Sequence, residues 1–205
     1  MAERRSTTER RRYRKTKRAE DEERTRAQIV EAAELLHGTL GPARTSISAV
    51  AERAGVTRAT VYRHFPDAES LFVACSTQWL SRQPIPDPAA WTQVDPLVRL
   101  RAGLVDIYRY YRSGEQMLSL IHRDAETVPL RVVETRIAAE RRWLSQLLEP
   151  FPGSRRRTVR AAVAHASACS TWRSLCVIQG LSTRSAVDLM VGLVDIAHRG
   201  DLPVR

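Results

Sequence analysis

Between Gly55 and Phe65 the chain reads GVTRATVYRHF. Two threonines, two arginines, a tyrosine and a histidine fall within about two helical turns. These side chains donate hydrogen bonds, and no acid stands among them. That mixture suits phosphate oxygens and the edges of bases. A short helix presenting it must also bury one side. Val61 and Phe65, spaced i, i+4, supply that side with Val56 just ahead of them. Arg58, Ala59, Thr60, Tyr62, Arg63 and His64 are left to face outward or to flank a groove.

Such a helix needs neighbours to hold it. Ile29, Ala32, Ala33 and Leu36 recur at i, i+3, i+4 and i+7, one face of a helix that stops around Gly38 or Gly41. Thr45 or Ser46 can cap the next helix, whose apolar face is Ile47, Val50, Ala51 and Ala54. Gly55 suits the left-handed residue just past its end. Thr57 caps a third helix, which Phe65-Pro66 stops. Asp67 caps a fourth, with Leu71, Cys75, Gln78 and Trp79 along one side. A helix, a tight turn and a short polar helix make the helix-turn-helix arrangement.

The 205 residues carry a formal net charge of +10, which favours an anionic partner. Nucleic acid comes first and a membrane surface second. The basic residues are nearly all arginine; Lys15 and Lys17 are the only lysines. Nine basic residues and one acid lie between Arg4 and Arg18, without apolar periodicity. Residues 1–21 therefore read as a basic arm, disordered when free, that is either a solvated tail or a DNA contact. QPIPDPAAW, with three prolines, is the best boundary candidate. Helical segments follow near 94–112, 115–126, 130–149, 155–179 and 183–199. No segment alternates like a strand, so the chain is expected to be all-α.

Residues 24–75 resemble the N-terminal domain of the TetR family of transcriptional regulators. The resemblance rests on RAQIVEAAELLHGTLGPARTSISAVAERAGVTRATVYRHFPDAESLF, and most of all on VAERAGVTRATVYRHF. A looser likeness joins TWRSLCVIQGLSTRSAVDLMVGLV to the last two helices of that family, where dimers form. The resemblance implies an N-terminal helix-turn-helix three-helix domain followed by a C-terminal helical bundle, about nine helices in all. It divides the chain into the arm at 1–21, a DNA-binding domain at 22–82, and a ligand-binding and dimerisation domain at 83–205. The expected function is a sequence-specific regulator, a repressor released by a ligand, acting as a homodimer on an inverted-repeat operator in double-stranded DNA. The alternative is a non-specific or architectural DNA-binding dimer.

The resemblance also assigns roles. Ser46 would contact phosphate, and Ser48 a base or phosphate. Arg58 and Ala59 would read bases, by a bidentate bond to guanine and a methyl contact to thymine. Thr60, Tyr62 and His64 would clamp the sugar-phosphate backbone, with Thr57 and Arg63 completing the DNA-binding set. Tyr62 packed at the domain edge and His64 capping a helix are the plainer alternatives. Many relatives carry a phosphate-binding lysine at the start of the fourth helix, where this chain has Ala68.

An unknown small-molecule effector would sit among the middle helices, against Trp79, Tyr108, Tyr111, Met117, Trp143 and Trp172, oriented by His122 and His165. Ordinary core packing is the simpler reading of any one of these residues. His165 and Cys169, spaced i, i+4, could share a metal, but no second ligand pair accompanies them, so no metal and no cofactor is expected. The three cysteines lack scaffold spacing and read as free thiols. No nucleophile–base set, phosphate loop or metal pattern points to an enzyme. The charged start carries no secretory signal and no apolar run spans a bilayer, so the expected location is cytoplasmic, away from the membrane. Leu175, Ile178, Leu189, Leu193 and Ile196 are the candidates for a helix-pair interface across a dyad.

Overall fold

The computed structural model describes residues 7–152 and 156–200, and every element among them is helical. The chain divides into two compact units. The first comprises residues up to Ser81 together with Ser119–Pro129; the second comprises Arg82–Leu118 and the chain from Leu130 onward. The internal segment at 119–129 extends the first unit beyond the 22–82 span expected for it.

In the first unit, α1 (Thr7–Thr39), α2 (Ile47–Ala54), α3 (Arg58–His64) and α4 (Ala68–Leu80) surround one apolar cluster. Ile29, Ala32 and Ala33 of α1 meet Val50 and Ala51 of α2, Val61 and Phe65 at α3, and Leu71 and Cys75 of α4. Leu36, Ile47, Ala54 and Val56 pack against it partly buried. The apolar periods of four short segments thus converge on a single core. The starts of α2, α3 and α4 are each capped by a side chain. Ser46 accepts from the Ala49 N–H at 3.1 Å, Thr57 from Thr60 at 3.1 Å, and Asp67 from Ser70 at 2.7 Å. Gly55 takes φ +68° and closes α2.

The basic arm is not a disordered tail where it is described. From Thr7 onward it is helical and continuous with α1, although residues 12–20 are exposed. Residues 1–6 lie outside the described residues. Apolar periodicity detects only helices that bury a face, and none of residues 12–20 is buried. Its helix grows from the packed part of α1, because extending an existing helix adds one hydrogen bond per residue without a new nucleus. Arginine, lysine and glutamate are good helix formers. Arg18 also pairs with Glu22 at 3.4 Å, and Arg24 with Asp21.

His37, at the end of α1, is buried against the Phe72 ring, with its Nδ1 3.3 Å from the Cys75 Sγ. Burial lowers the imidazole from 6.5 to about 4 and raises the Cys75 thiol to about 12. Between those two histidine values the unfolded chain binds the proton and the folded chain does not. Stability is therefore complete above pH 6.5 and falls as the pH drops toward 4, by up to about 3 kcal/mol. Denaturant titrations at stepped pH should show that slope reduced in His37→Gln; equal slopes would place the proton elsewhere.

The second unit is built on α5 (Pro96–Ser113), which runs to Gly114, and on α7 (Leu130–Leu148), α8 (Arg156–Ala166), α9 (Cys169–Trp172) and α10 (Thr183–Arg199). α6 (Glu115–Arg123) begins in this unit and ends in the first. Leu100, Leu104, Ile107, Tyr108 and Tyr111 line the buried side of α5, with Leu147, Val159, Val163, Val187 and Val194 in the same unit's core. Arg99 bonds the Gln93 carbonyl at 2.7 Å, and Trp91 bonds Asp106 at 2.9 Å.

The expected helix at 155–179 is interrupted. α8 ends at Ala166, α9 restarts at Cys169, and Arg173–Ile178 continues as a π-helical turn. With that break the described residues form ten α-helices, in keeping with the expectation of about nine. The hydroxyls of Tyr108 and Tyr111 donate to the carbonyls of Ala166 and Ser167, each at 2.9 Å. These bonds give partners to carbonyls exposed by the break, which would otherwise be costly to bury. No apolar pattern in 155–179 carries that information, because the partners lie on α5.

Candidate nucleic-acid interface

α3 is anchored on one side and open on the other. Val61 is wholly buried and Phe65 nearly so, whereas Arg58, Ala59, Tyr62 and Arg63 are exposed. The arginines therefore leave from a helix whose orientation the core sets. The Arg26 guanidinium of α1 lies 4.8 Å above the Phe65 ring, a cation–π contact at the end of α3. Sequence reasoning did not single out Arg26, since the contact joins residues on different elements.

The hydroxyl groups are less free than their spacing suggests. Thr57 Oγ1 accepts from the Thr60 N–H and lies 2.9 Å from the Thr60 hydroxyl, so the two threonines brace one another. The Ser46 Oγ accepts a capping bond, which leaves its own proton to donate. Ser48 is exposed in the first turn of α2. His64 is half-buried, and its Nε2 is enclosed without a hydrogen-bond partner. As placed, only its other nitrogen could serve a phosphate. Ala68 is exposed at the start of α4, beside the Asp67 carboxyl that bonds from Ser70 hold below its ordinary range.

Four of the expected effector residues are buried in the second unit. The Tyr111 ring is 5.8 Å from Trp172, and Tyr110 stands 5.6 Å from Tyr111 and 5.8 Å from Trp143. Tyr110 links the two pairs and was not foreseen. Tyr108 precedes them on α5, and both it and Tyr111 spend their hydroxyls on the α8 break. Burial raises all three phenols, Tyr110 to about 12, so they remain donors. The Trp172 Nε1 is buried without a hydrogen-bond partner.

The remaining candidates lie elsewhere. Met117 is half-buried on α6, and Trp79 is half-buried on α4 of the first unit. His122 and His165 are exposed, against the expectation that they orient a ligand among the aromatics. α8 buries Val159, Val163 and Ala166, and this phase turns His165 outward, 3.5 Å from the Thr171 hydroxyl. The break at Ser167–Ala168 also separates His165 from Cys169, so the two do not share one helical face as expected. Burial raises the Cys169 thiol to about 11. Among the described residues no three potential ligands gather for a metal. None of the described helices is long and apolar enough to cross a membrane.

α10 has two apolar faces. Ala186, Val187, Met190, Val191, Val194 and Ala197 are buried, while Leu189, Leu193 and Ile196 are exposed. Val177 and Ile178 of the π-helical turn are exposed as well, and Leu175 is half-buried.

Residues 29–75 match the model of the bacterial regulatory proteins, tetR family. The HTH-type transcriptional regulator TtgR of Pseudomonas putida is 48% identical over 55 residues, 27% of this chain and 26% of that protein. The probable HTH-type transcriptional regulator ArpR of Pseudomonas putida matches to the same extent. The chain thus spans about a quarter of the length of these curated relatives. Among solved structures, a TetR-like transcriptional regulator from Rhodococcus sp. RHA1 shares the fold at TM-score 0.61 and 20% identity, over 86% of this chain and 96% of that one. NalD, the secondary repressor of the MexAB-OprM multidrug efflux pump in Pseudomonas aeruginosa, aligns at TM-score 0.56 and 21% identity, over 88% and 96%. The transcriptional regulator FadR from Bacillus subtilis, in complex with stearoyl-CoA, aligns at 0.54 and 15%, over 85% and 98%. Within the first unit, α2, the turn at Gly55 and α3 form a helix-turn-helix inside the matched segment. The likeness to the tetR family of bacterial regulatory proteins is carried by residues 29–75 of that unit, and the fold of the whole chain is shared with regulators of that type.

Proposed function

We propose that this protein is a homodimeric, sequence-specific transcriptional regulator that binds an inverted-repeat operator and is released from it by a small-molecule effector. The observation that carries the reading is α3: a core-anchored helix whose free side is Arg58, Ala59, Tyr62 and Arg63, inside the segment that matches the family. The first unit is assigned to DNA and the second to dimerisation and effector. The protein acts in the cytoplasm, where its DNA is. Ser46, Ser48, Thr57, Thr60 and His64 are assigned to the phosphate backbone around α3, with Ser48 also within range of a base in this assignment. The aromatic cluster of Tyr110, Tyr111, Trp143 and Trp172 supports an effector with apolar or aromatic bulk, and FadR's stearoyl-CoA is one such molecule in a protein of this fold.

Selection from a random duplex pool, followed by titration against the selected and scrambled duplexes at several salt concentrations, tests the reading. An inverted repeat should emerge with half-site centres about one helical turn apart, or a multiple of that spacing. Equal affinity for every sequence would instead make the protein an architectural binder. Arg58→Ala should cost about 1–3 kcal/mol per contact and relax the preference at one position of each half-site. A uniform loss across all sequences would reassign Arg58 to phosphate.

A further inference from the structure

The segment Ser119–Pro129 joins the first unit although Arg82–Leu118 of the second unit intervenes in the chain. Its attachment is an ion pair seated on the α1–α2 turn. Arg123 Nε and Nη2 donate to the two oxygens of Asp124 at 2.7 and 2.9 Å. Arg123 Nη2 also donates to the Leu40 carbonyl at 2.7 Å, and Asp124 Oδ2 accepts from the Ala43 N–H at 3.1 Å. One fork thus holds a backbone acceptor and a backbone donor on either side of Gly41. The Asp124 side chain is 7% exposed, and Arg123 holds its carboxyl below the ordinary range.

Gly41 is what allows the approach. It adopts φ +91°, and a Cβ there would overlap both Arg123 Nη2 and Asp124 Oδ2. Beyond it the turn is hydrogen-bonded step by step. Thr45 Oγ1 donates to the Gly41 carbonyl at 2.9 Å, the Thr45 N–H donates to Pro42 at 3.1 Å, and Ser46 caps α2. Thr127 secures the segment from the other end through its bonds to the Asp124 carbonyl.

We infer that Arg123 and Asp124 are positioning residues for DNA binding: they clamp the α1–α2 turn and so set where the N-terminus of α2, with Ser46 and Ser48, meets the phosphate backbone. This rests on the DNA-binding reading above. A bidentate pair suits the task, because it fixes direction as well as distance. Neither residue belongs to the apolar cluster that holds α1 to α4 together. Losing the clamp therefore loosens the turn without dissolving the core.

The test uses the full chain and the operator selected by the wild type. Asp124→Ala should lower operator affinity by about tenfold while affinity for scrambled duplex changes less, since loose binding depends on charge more than on register. Asp124→Asn, which keeps an acceptor for Ala43, should fall between the wild type and Asp124→Ala. Adding Arg123→Ala to Asp124→Ala should cost little more, because the pair acts as one unit. Amide exchange at Ala43 should be slow in the wild type and faster in Asp124→Ala. A folded Asp124→Asn and Asp124→Ala with wild-type operator affinity would overturn the inference, as would equal losses on operator and scrambled DNA. A wild type that selects no sequence would overturn the sequence-specific reading itself, and with it the role of the clamp; Ala43 exchange would then report only whether the bond exists.

Discussion

Leu193→Glu is expected to give a folded monomer with much weaker operator binding. Leu193 lies on the open face of α10 with Leu189 and Ile196, at spacings that form one stripe. The buried face of the same helix, through Val187, Met190 and Val194, ties it to its own unit. A glutamate at 193 therefore leaves the protomer's core intact. In a dyad-related pair the residue occurs twice, so two carboxylates would be enclosed without partners. An uncompensated buried charge costs about 3 kcal/mol or more, enough to raise the dimer dissociation constant by roughly a hundredfold or beyond. A recognition helix as short as α3 spans only a few base pairs, so in the proposed dimer a second copy would supply the rest of the operator's binding energy. Sedimentation or light scattering at micromolar concentration decides the matter. A mutant that stays folded and fully dimeric places the interface on another surface, and a monomeric wild type ends the dyad-based mechanism.

Deleting residues 1–20 is expected to leave fold and dimer unchanged and to make DNA binding weaker and less salt-dependent. The buried face of α1 begins at Ile29, well beyond the deletion. What the deletion removes is charge: nine basic residues against Glu3, Glu9 and Glu20. Because the described part of the arm is helical, its basic residues cannot all face one duplex. Arg14, Lys17 and Arg18 recur at i, i+3 and i+4 and share a side. Each phosphate neutralised contributes about 0.9 to the slope of log affinity on log salt, so the slope should fall by about 2–4 units. An unchanged slope would mean that the arm stays clear of DNA and serves another partner. The missing lysine at Ala68 adds weight to this contribution, since the start of α4 offers no basic side chain of its own there.

The local part of the DNA-binding unit was legible in the chain. Ser46, Thr57 and Asp67 cap helices because a hydroxyl or carboxylate reaches an amide only two or three residues ahead. Gly55 ends α2 because its φ of +68° is open to glycine at no steric cost. The apolar positions of α1, α2 and α3 repeat with the helical period, and each period names a face that must be covered. Interactions of that kind span a few residues, so the order of amino acids is enough to show them. What covers each face, and what stands beyond it, depends on residues far apart in sequence. Ala43 meets Asp124 across 81 positions, and Tyr108 meets Ala166 across 58. No local pattern encodes such partners, and the break in the 155–179 segment, the outward turn of His165 and the inclusion of 119–129 in the first unit all follow from them. The helical arm was hidden for the opposite reason: residues 12–20 are all exposed, and a helix without a buried face leaves no apolar period to read. Sequence thus determined the elements that satisfy themselves within a turn or two, and tertiary structure decided every feature whose hydrogen-bond or packing partner had first to be brought from another part of the chain.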